Sequence, residues 1–178
     1  MNKNTFNIND ITFDIYSDSD VFGDGTHEST QFMLDFMSKQ DFKDKKVMDV
    51  GTGTGILSVF AKLSGASHVL ALDMFATSLE WARKNAKRNT VEIDVEINNL
   101  TQYIDEKADI ILANLPPAEQ CENMKTIKKN LNEDGILIIS WFNKIPLEDW
   151  NKDFEIVEHI EGKEYDAYIL KRNQNNKD

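Results

Sequence analysis

The tightest constraint on this chain is a strand–turn–helix signal answered by an acidic residue one unit further on. Val47-Met48-Asp49-Val50 is a short apolar run, Gly51-Thr52-Gly53-Thr54-Gly55 a glycine-dense turn, and Ile56-Leu57 opens an amphipathic stretch. Glycine lets a backbone bend sharply and approach a ligand that a Cβ would exclude. A helix starting behind such a turn offers unpaired N–H groups and the positive end of its dipole. A second apolar run, His68-Val69-Leu70-Ala71-Leu72, ends in Asp73, 22 residues after Gly51. A carboxylate at that separation accepts both hydroxyls of a ribose.

Glycine spacing selects among nucleotide-type ligands. A dinucleotide fingerprint needs a third small residue at the position held here by Ile56. No Gly-Lys-Ser/Thr grip follows either, which excludes a P-loop. Glycines at 51, 53 and 55, with Asp49 two residues ahead, resemble the S-adenosylmethionine loop of class I methyltransferases.

The remaining chain alternates. Residues 5–16 suggest one or two lead-in strands, and a second glycine loop, Val21 to Thr30, opens a helix whose apolar face is Phe32, Met33, Phe36 and Met37. Then come helix 54–65, strand 68–73, helix 75–89, strand 91–98, a short turn within 99–107, strand 108–113, helix 118–131 and strand 135–141. Phe154–Glu161 and Tyr165–Leu170 read as an antiparallel hairpin. Alternation of this kind specifies right-handed crossovers, and the apolar runs at 110–113 and 136–139 suit strands buried on both faces. The expectation is an α/β, doubly wound, mostly parallel seven-stranded sheet with a C-terminal hairpin, the Rossmann-like class I methyltransferase pattern. Residues 1–21 form a lead-in segment, 22–171 the domain and 172–178 a disordered tail.

Three motifs make the resemblance specific. Phe22-Gly23-Asp24-Gly25-Thr26-His27-Glu28-Ser29-Thr30 resembles the Phe-Gly-x-Gly-x-His-x-x-Thr segment of the PrmA family, which methylates amino groups of a ribosomal protein. Asp49 to Leu57 and Ala113-Asn114-Leu115 match the family's next two motifs. The resemblance implies cofactor contacts at Thr30, Gly51, Asp73 and Asn114: Thr30 and Gly51 at the methionine end, Asp73 on the ribose, Asn114 beside the sulfonium carbon. Asp49, Thr52, Gly53, Gly55, Met74 and Asn99 complete the expected S-adenosylmethionine set. Two departures stand out. The family carries a separate N-terminal recognition domain, whereas 21 residues precede Phe22, so ribosomal-protein specificity is not expected. Asn114-Leu115-Pro116-Pro117-Ala118 also lacks the Asn-Pro-Pro-aromatic platform used on glutamine amides and adenine.

Catalysis needs alignment of nucleophile and methyl, and an amine nucleophile must also lose a proton. Asn114, His27, Asp24 and Glu28 are the candidates, with no ranking among them. Trp141 and Phe142 stand near the ligand edge as pocket or core residues. The three histidines have no metal-ligand spacing, and a lone Cys121 forms no intrachain disulfide. A net charge of −11 and a pI near 4.7 disfavour nucleic acid as the main partner. No stretch approaches the roughly 18 apolar residues of a membrane span, and the expected location is cytoplasmic. The functional expectation is methylation of an amine of a peptide, protein or small metabolite. Methylation of oxygen or carbon, and a non-catalytic cofactor- or partner-binding module, remain as alternatives.

Overall fold

A computed structural model describes residues 1–98, 104–142 and 152–173, with backbone alone over 117–123. Its elements run β1 (Asn2–Ile8), β2 (Ile11–Ser17), α1 (Glu28–Ser38), β3 (Lys46–Val50), α2 (Ile56–Leu63), β4 (His68–Asp73), α3 (Ala76–Arg88), β5 (Asp94–Ile97), β6 (Ala108–Ala113), α4 (Pro117–Asn130), β7 (Leu131–Phe142), β8 (Phe154–Glu161) and β9 (Tyr165–Arg172). Seven strands form one sheet in the order β5-β4-β3-β6-β7-β9-β8. The first four neighbour pairs are parallel and the last two antiparallel. The order reverses direction between β3 and β6, and the glycine turn leaves β3 at its carboxyl end. That crevice is where open α/β sheets take their ligands.

Strand residues alternate between two apolar cores, as burial on both faces requires. Val47, Val69, Ile110 and Ile138 pack with Met33, Phe36 and Met37 of α1 and Val59 and Phe60 of α2. Met48, Leu70, Ile111, Leu137 and Ile139 pack on the opposite face, with Ile127 of α4. The lead-in segment is a two-residue hairpin with Asn9 at φ 50° and Asp10 at φ 63°, both turn residues left-handed as such a turn demands. Phe13 anchors it, stacked on Phe60 at 5.7 Å between ring centroids.

Among the boundaries that differ from the sequence expectation are three strand ends. β5 starts at Asp94 rather than 91: the Val91 N–H closes the end of α3 on the Ala86 carbonyl, with Thr90 left-handed at φ 59°. β7 starts at Leu131 rather than 135. Leu131 is buried and pairs with Ala108, and Asn132 donates to the Asp109 carboxylate at 2.8 Å, so a polar stretch that resembles a turn is the start of a strand. β9 runs through Arg172, which pairs with Phe154; 174–178 lie outside the described residues, as do 99–103 of the expected turn.

Candidate active site

The turn after β3 is held from three sides. Asp73 ends β4, and its Oδ2 accepts the Gly53 N–H at 3.0 Å while Oδ1 accepts the Phe75 N–H at 2.9 Å. The Gly51 and Thr52 N–H groups both donate to the Leu72 carbonyl. Below the turn, Asp49 Oδ2 accepts the Thr52 hydroxyl at 2.7 Å and the Ser58 hydroxyl at 2.6 Å. Asp49 is 1% exposed, and its Oδ1 has no partner among the described residues. Burial pushes its carboxyl up to about 6, against the pull of the Ser58 and Thr52 bonds and with a push from the Asp73 charge.

Each glycine of the turn has its missing Cβ space taken by protein. A Cβ on Gly51 (φ 71°) would collide with the Leu115 side chain, and one on Gly53 (φ 55°) with the Phe22 carbonyl. A Cβ on Gly55 (φ 81°) would lie 2.8 Å from the Ala82 Cα of α3. The close approach that glycine permits is made here to Leu115, Phe22 and α3.

A second set of contacts joins the sheet edge to α1. Asn114 follows β6 and donates to Thr30 Oγ1 at 3.2 Å. Ser140 of β7 donates in turn to Asn114 Oδ1. These two bonds orient the amide, and the oxygen keeps a second lone pair. Thr30 is fully buried in the first turn of α1. At the other side of the crevice Met74 and Phe75 are 51% and 60% exposed, unusual for large apolar groups, directly after Asp73. Ile97, opposite Asp73 in register, is likewise exposed. Together they give the edge beside Asp73 an apolar rim suited to a flat heterocycle.

Two of the expected proton acceptors are otherwise engaged. Burial raises the Asp24 carboxyl, but the Thr26 amide and hydroxyl bond it and the net shift is downward. Glu28 accepts three N–H groups, from Glu164, Lys163 and Tyr165 at 3.1–3.2 Å, and these hold its carboxyl below the usual range. Its carboxylate fastens the β8–β9 turn to α1. His27 is exposed, stacked on Phe22 with ring centroids 4.4 Å apart. The structure thus brings Thr30 to Asn114 and the Gly51–Gly55 turn to Asp73, and it leaves Glu28 out of that set. Trp141 is buried in the second core, whereas exposed Phe142 meets Tyr165 edge-on. Asn99 lies outside the described residues.

Sequence reasoning passed over Ser140, Phe75 and Ser58. Ser140 was findable: β6 and β7 pair with Ala113 opposite Ile139, so one further step sets Asn114 beside the only hydroxyl in an apolar strand.

A parallel sheet of this order, a glycine turn at its reversal point and a carboxylate ending the next strand define the class I S-adenosylmethionine-dependent methyltransferases. The residues present suit that cofactor: a carboxylate that ends β4 and holds the glycine turn, and an apolar rim of Met74, Phe75 and Ile97 beside it. The chain belongs to the ribosomal protein L11 methyltransferase (PrmA) family, whose model it matches over residues 20–172. It is 34% identical over 153 residues to the ribosomal protein L11 methyltransferase of Thermosipho africanus, covering 85% of this chain and 58% of that protein. With the Caldicellulosiruptor saccharolyticus protein of the same name the identity is 39% over 152 residues, 84% of this chain and 50% of the relative. The chain therefore spans about half the length of the curated relatives it matches. Among solved structures, the ribosomal protein L11 methylase of Lactobacillus delbrueckii subsp. bulgaricus superposes with a TM-score of 0.78 at 28% identity, covering 86% of this chain and 82% of that one.

Proposed function

We propose that the protein transfers a methyl group from S-adenosylmethionine to an amine nitrogen of a protein, peptide or small metabolite. The observation that carries this reading is the Thr30–Asn114–Ser140 chain of hydrogen bonds at the crevice, across from the turn that Asp73 holds.

The cofactor, when bound, supplies a methyl group on an electrophilic sulfonium, so the protein's task is alignment and exclusion of water. Asp73 would accept the ribose hydroxyls, and Met74, Phe75 and Ile97 would form the rim beside them. Asn114 Oδ1, fixed by the Ser140 hydroxyl, accepts an N–H of the incoming amine with its remaining lone pair and directs the nitrogen's own lone pair at the methyl. Phe22 and His27 cover the approach. The amine's proton passes to solvent. A cavity of about 530 Å³ between the hairpin and this loop is lined by Asp18, Asp20, Asp24, Phe22 and His27 among others. Its carboxylates and the net charge of −11 favour cationic amines over phosphate-bearing partners. The names of the relatives make ribosomal protein L11 the first protein to test.

The experiment is product analysis. The protein is incubated with S-adenosylmethionine and, in separate arms, ribosomal protein L11, amine-bearing peptides and small amines. Mass spectrometry should place the methyl group on nitrogen. Asn114→Ala should cut turnover on the order of a hundredfold, as loss of alignment does, with a much smaller change in cofactor affinity. Methyl groups found on oxygen or carbon alone would reject the amine reading.

A further inference from the structure

Residues 1–17 lie outside the segment matched to the family, yet they are bonded into the cofactor turn. The link is Asn85 on α3, 0% exposed. Its Oδ1 accepts the Tyr16 N–H at 3.0 Å, and its Nδ2 donates to the Tyr16 carbonyl at 2.9 Å and to the Thr54 carbonyl at 2.8 Å. Both amide hydrogens are used, so the side chain has one orientation and no donor to spare. An asparagine inside a helix gains nothing locally, and a buried amide is costly unless every polar atom is paired. Its partners lie 69 and 31 residues away in the chain.

From Thr54 the connection continues. The Thr54 N–H donates to the Phe22 carbonyl at 3.1 Å, and its hydroxyl donates to the Gly23 carbonyl. Asn4 of β1 donates to the Asp24 carbonyl at 2.9 Å, and the Phe6 ring fills the space beside Gly25. Because β1 and β2 are paired, the hairpin, the 22–25 loop, Thr54 and Asn85 form a closed ring of contacts. Thr54 stands next to Gly53, whose N–H meets Asp73. A shift of Thr54 therefore moves the Gly53 amide against the carboxylate assigned to the ribose.

We propose that Asn85 is a positioning residue for the cofactor turn, and that through it the N-terminal hairpin sets cofactor affinity. The inference rests on the cofactor reading above. Asn89 supplies an internal control. It holds the same hairpin by the same chemistry, accepting the Asp14 N–H at 3.0 Å and donating to the Asp14 carbonyl at 2.8 Å. Its other side-chain bond is to the Asn85 carbonyl, and it makes none to the turn.

The test compares Asn85→Ala with Asn89→Ala in the full chain, by calorimetric titration with S-adenosylmethionine and by thermal unfolding. Both variants should unfold at lower temperature. Asn85→Ala should weaken cofactor binding at least about fivefold, the low end for coupled sites, and raise the cofactor KM while leaving kcat near the parent's. Asn89→Ala should bind within about twofold of the parent, as independent sites do. Should Asn85→Ala fail to fold, Thr54→Val and Thr54→Ser ask the same question from the turn: valine should weaken binding and serine restore it. Equal affinity in Asn85→Ala and the parent, equal loss in both asparagine variants, or equal affinity in both Thr54 variants would overturn the proposal. A parent protein that binds no S-adenosylmethionine would reject the cofactor reading, and this inference with it.

Discussion

Replacing Asp49 with asparagine should stabilise the protein at neutral pH and destabilise it in acid. The Asp49 carboxyl is moved from 3.8 in a free chain to about 6 by burial, despite the Ser58 and Thr52 hydroxyls. A pKa raised in the folded state means the neutral carboxyl is the favoured form there. Its contribution is complete below about pH 4, falls as pH rises, and is lost above about pH 6. At about 1.36 kcal/mol per unit, forced ionisation at pH 7 costs the fold about 3 kcal/mol. Asparagine avoids that cost, and its oxygen can still accept from Thr52 and Ser58. It also puts an N–H₂ group where Oδ1 has no partner among the described residues, a penalty of about 1–2 kcal/mol. The net expectation at pH 7 is a gain of about 1–2 kcal/mol, and at pH 4 a loss of similar size. Urea unfolding followed by circular dichroism in steps from pH 4 to pH 8 should show the two stability curves crossing. A constant offset at every pH, or a variant less stable than the parent at pH 7, would refute the reasoning.

Other expectations come from the same geometry. Asp73→Ala should weaken S-adenosylmethionine binding by about tenfold or more, since charge-assisted hydrogen bonds contribute roughly 1.5–3 kcal/mol; calorimetry giving the parent's affinity would misplace the ribose. Gly53→Ala should be more damaging than Gly51→Ala in thermal unfolding, although each carries a left-handed φ: Gly53 faces the Phe22 backbone carbonyl, whereas Gly51 faces a leucine side chain that can turn. Glu28→Gln should lower the melting temperature above about pH 5 and leave turnover unchanged, because its lowered carboxyl holds three amides of the β8–β9 turn; loss of turnover would return it to the catalytic set. The rate with an amine substrate should rise with pH until the amine is largely deprotonated, which initial rates across pH 6–10 would show.

The sheet was legible because its strands announce themselves. Apolar runs at 69–72 and 110–113 are too continuous for a half-exposed strand, and a polar residue punctuates each end. Asp73 and Asn114 were legible for a related reason: each is the first polar residue after such a run, so the carboxyl edge of the sheet presents it. Asn85 of α3 and Asn89, just past its end, were not legible. In a sequence, Asn85 and Asn89 read as ordinary polar positions on a helix rich in Lys and Arg, and only the hairpin's backbone reveals why they are buried or half-buried. The partners of Glu28 were not legible either, since all three, 135–137 residues further on, come from a turn that local pattern cannot place. The start of β7 was hidden by the same kind of distance, since Asn132 reads as a turn residue until Asp109 is found across from it.

Calorimetric titration of the intact chain with S-adenosylmethionine, with NAD titrated in parallel, tests the central claim most directly. The account predicts saturable one-site binding of S-adenosylmethionine, a melting temperature that rises with its concentration by mass action, and no binding of NAD. Tight binding of NAD with none of S-adenosylmethionine would contradict it.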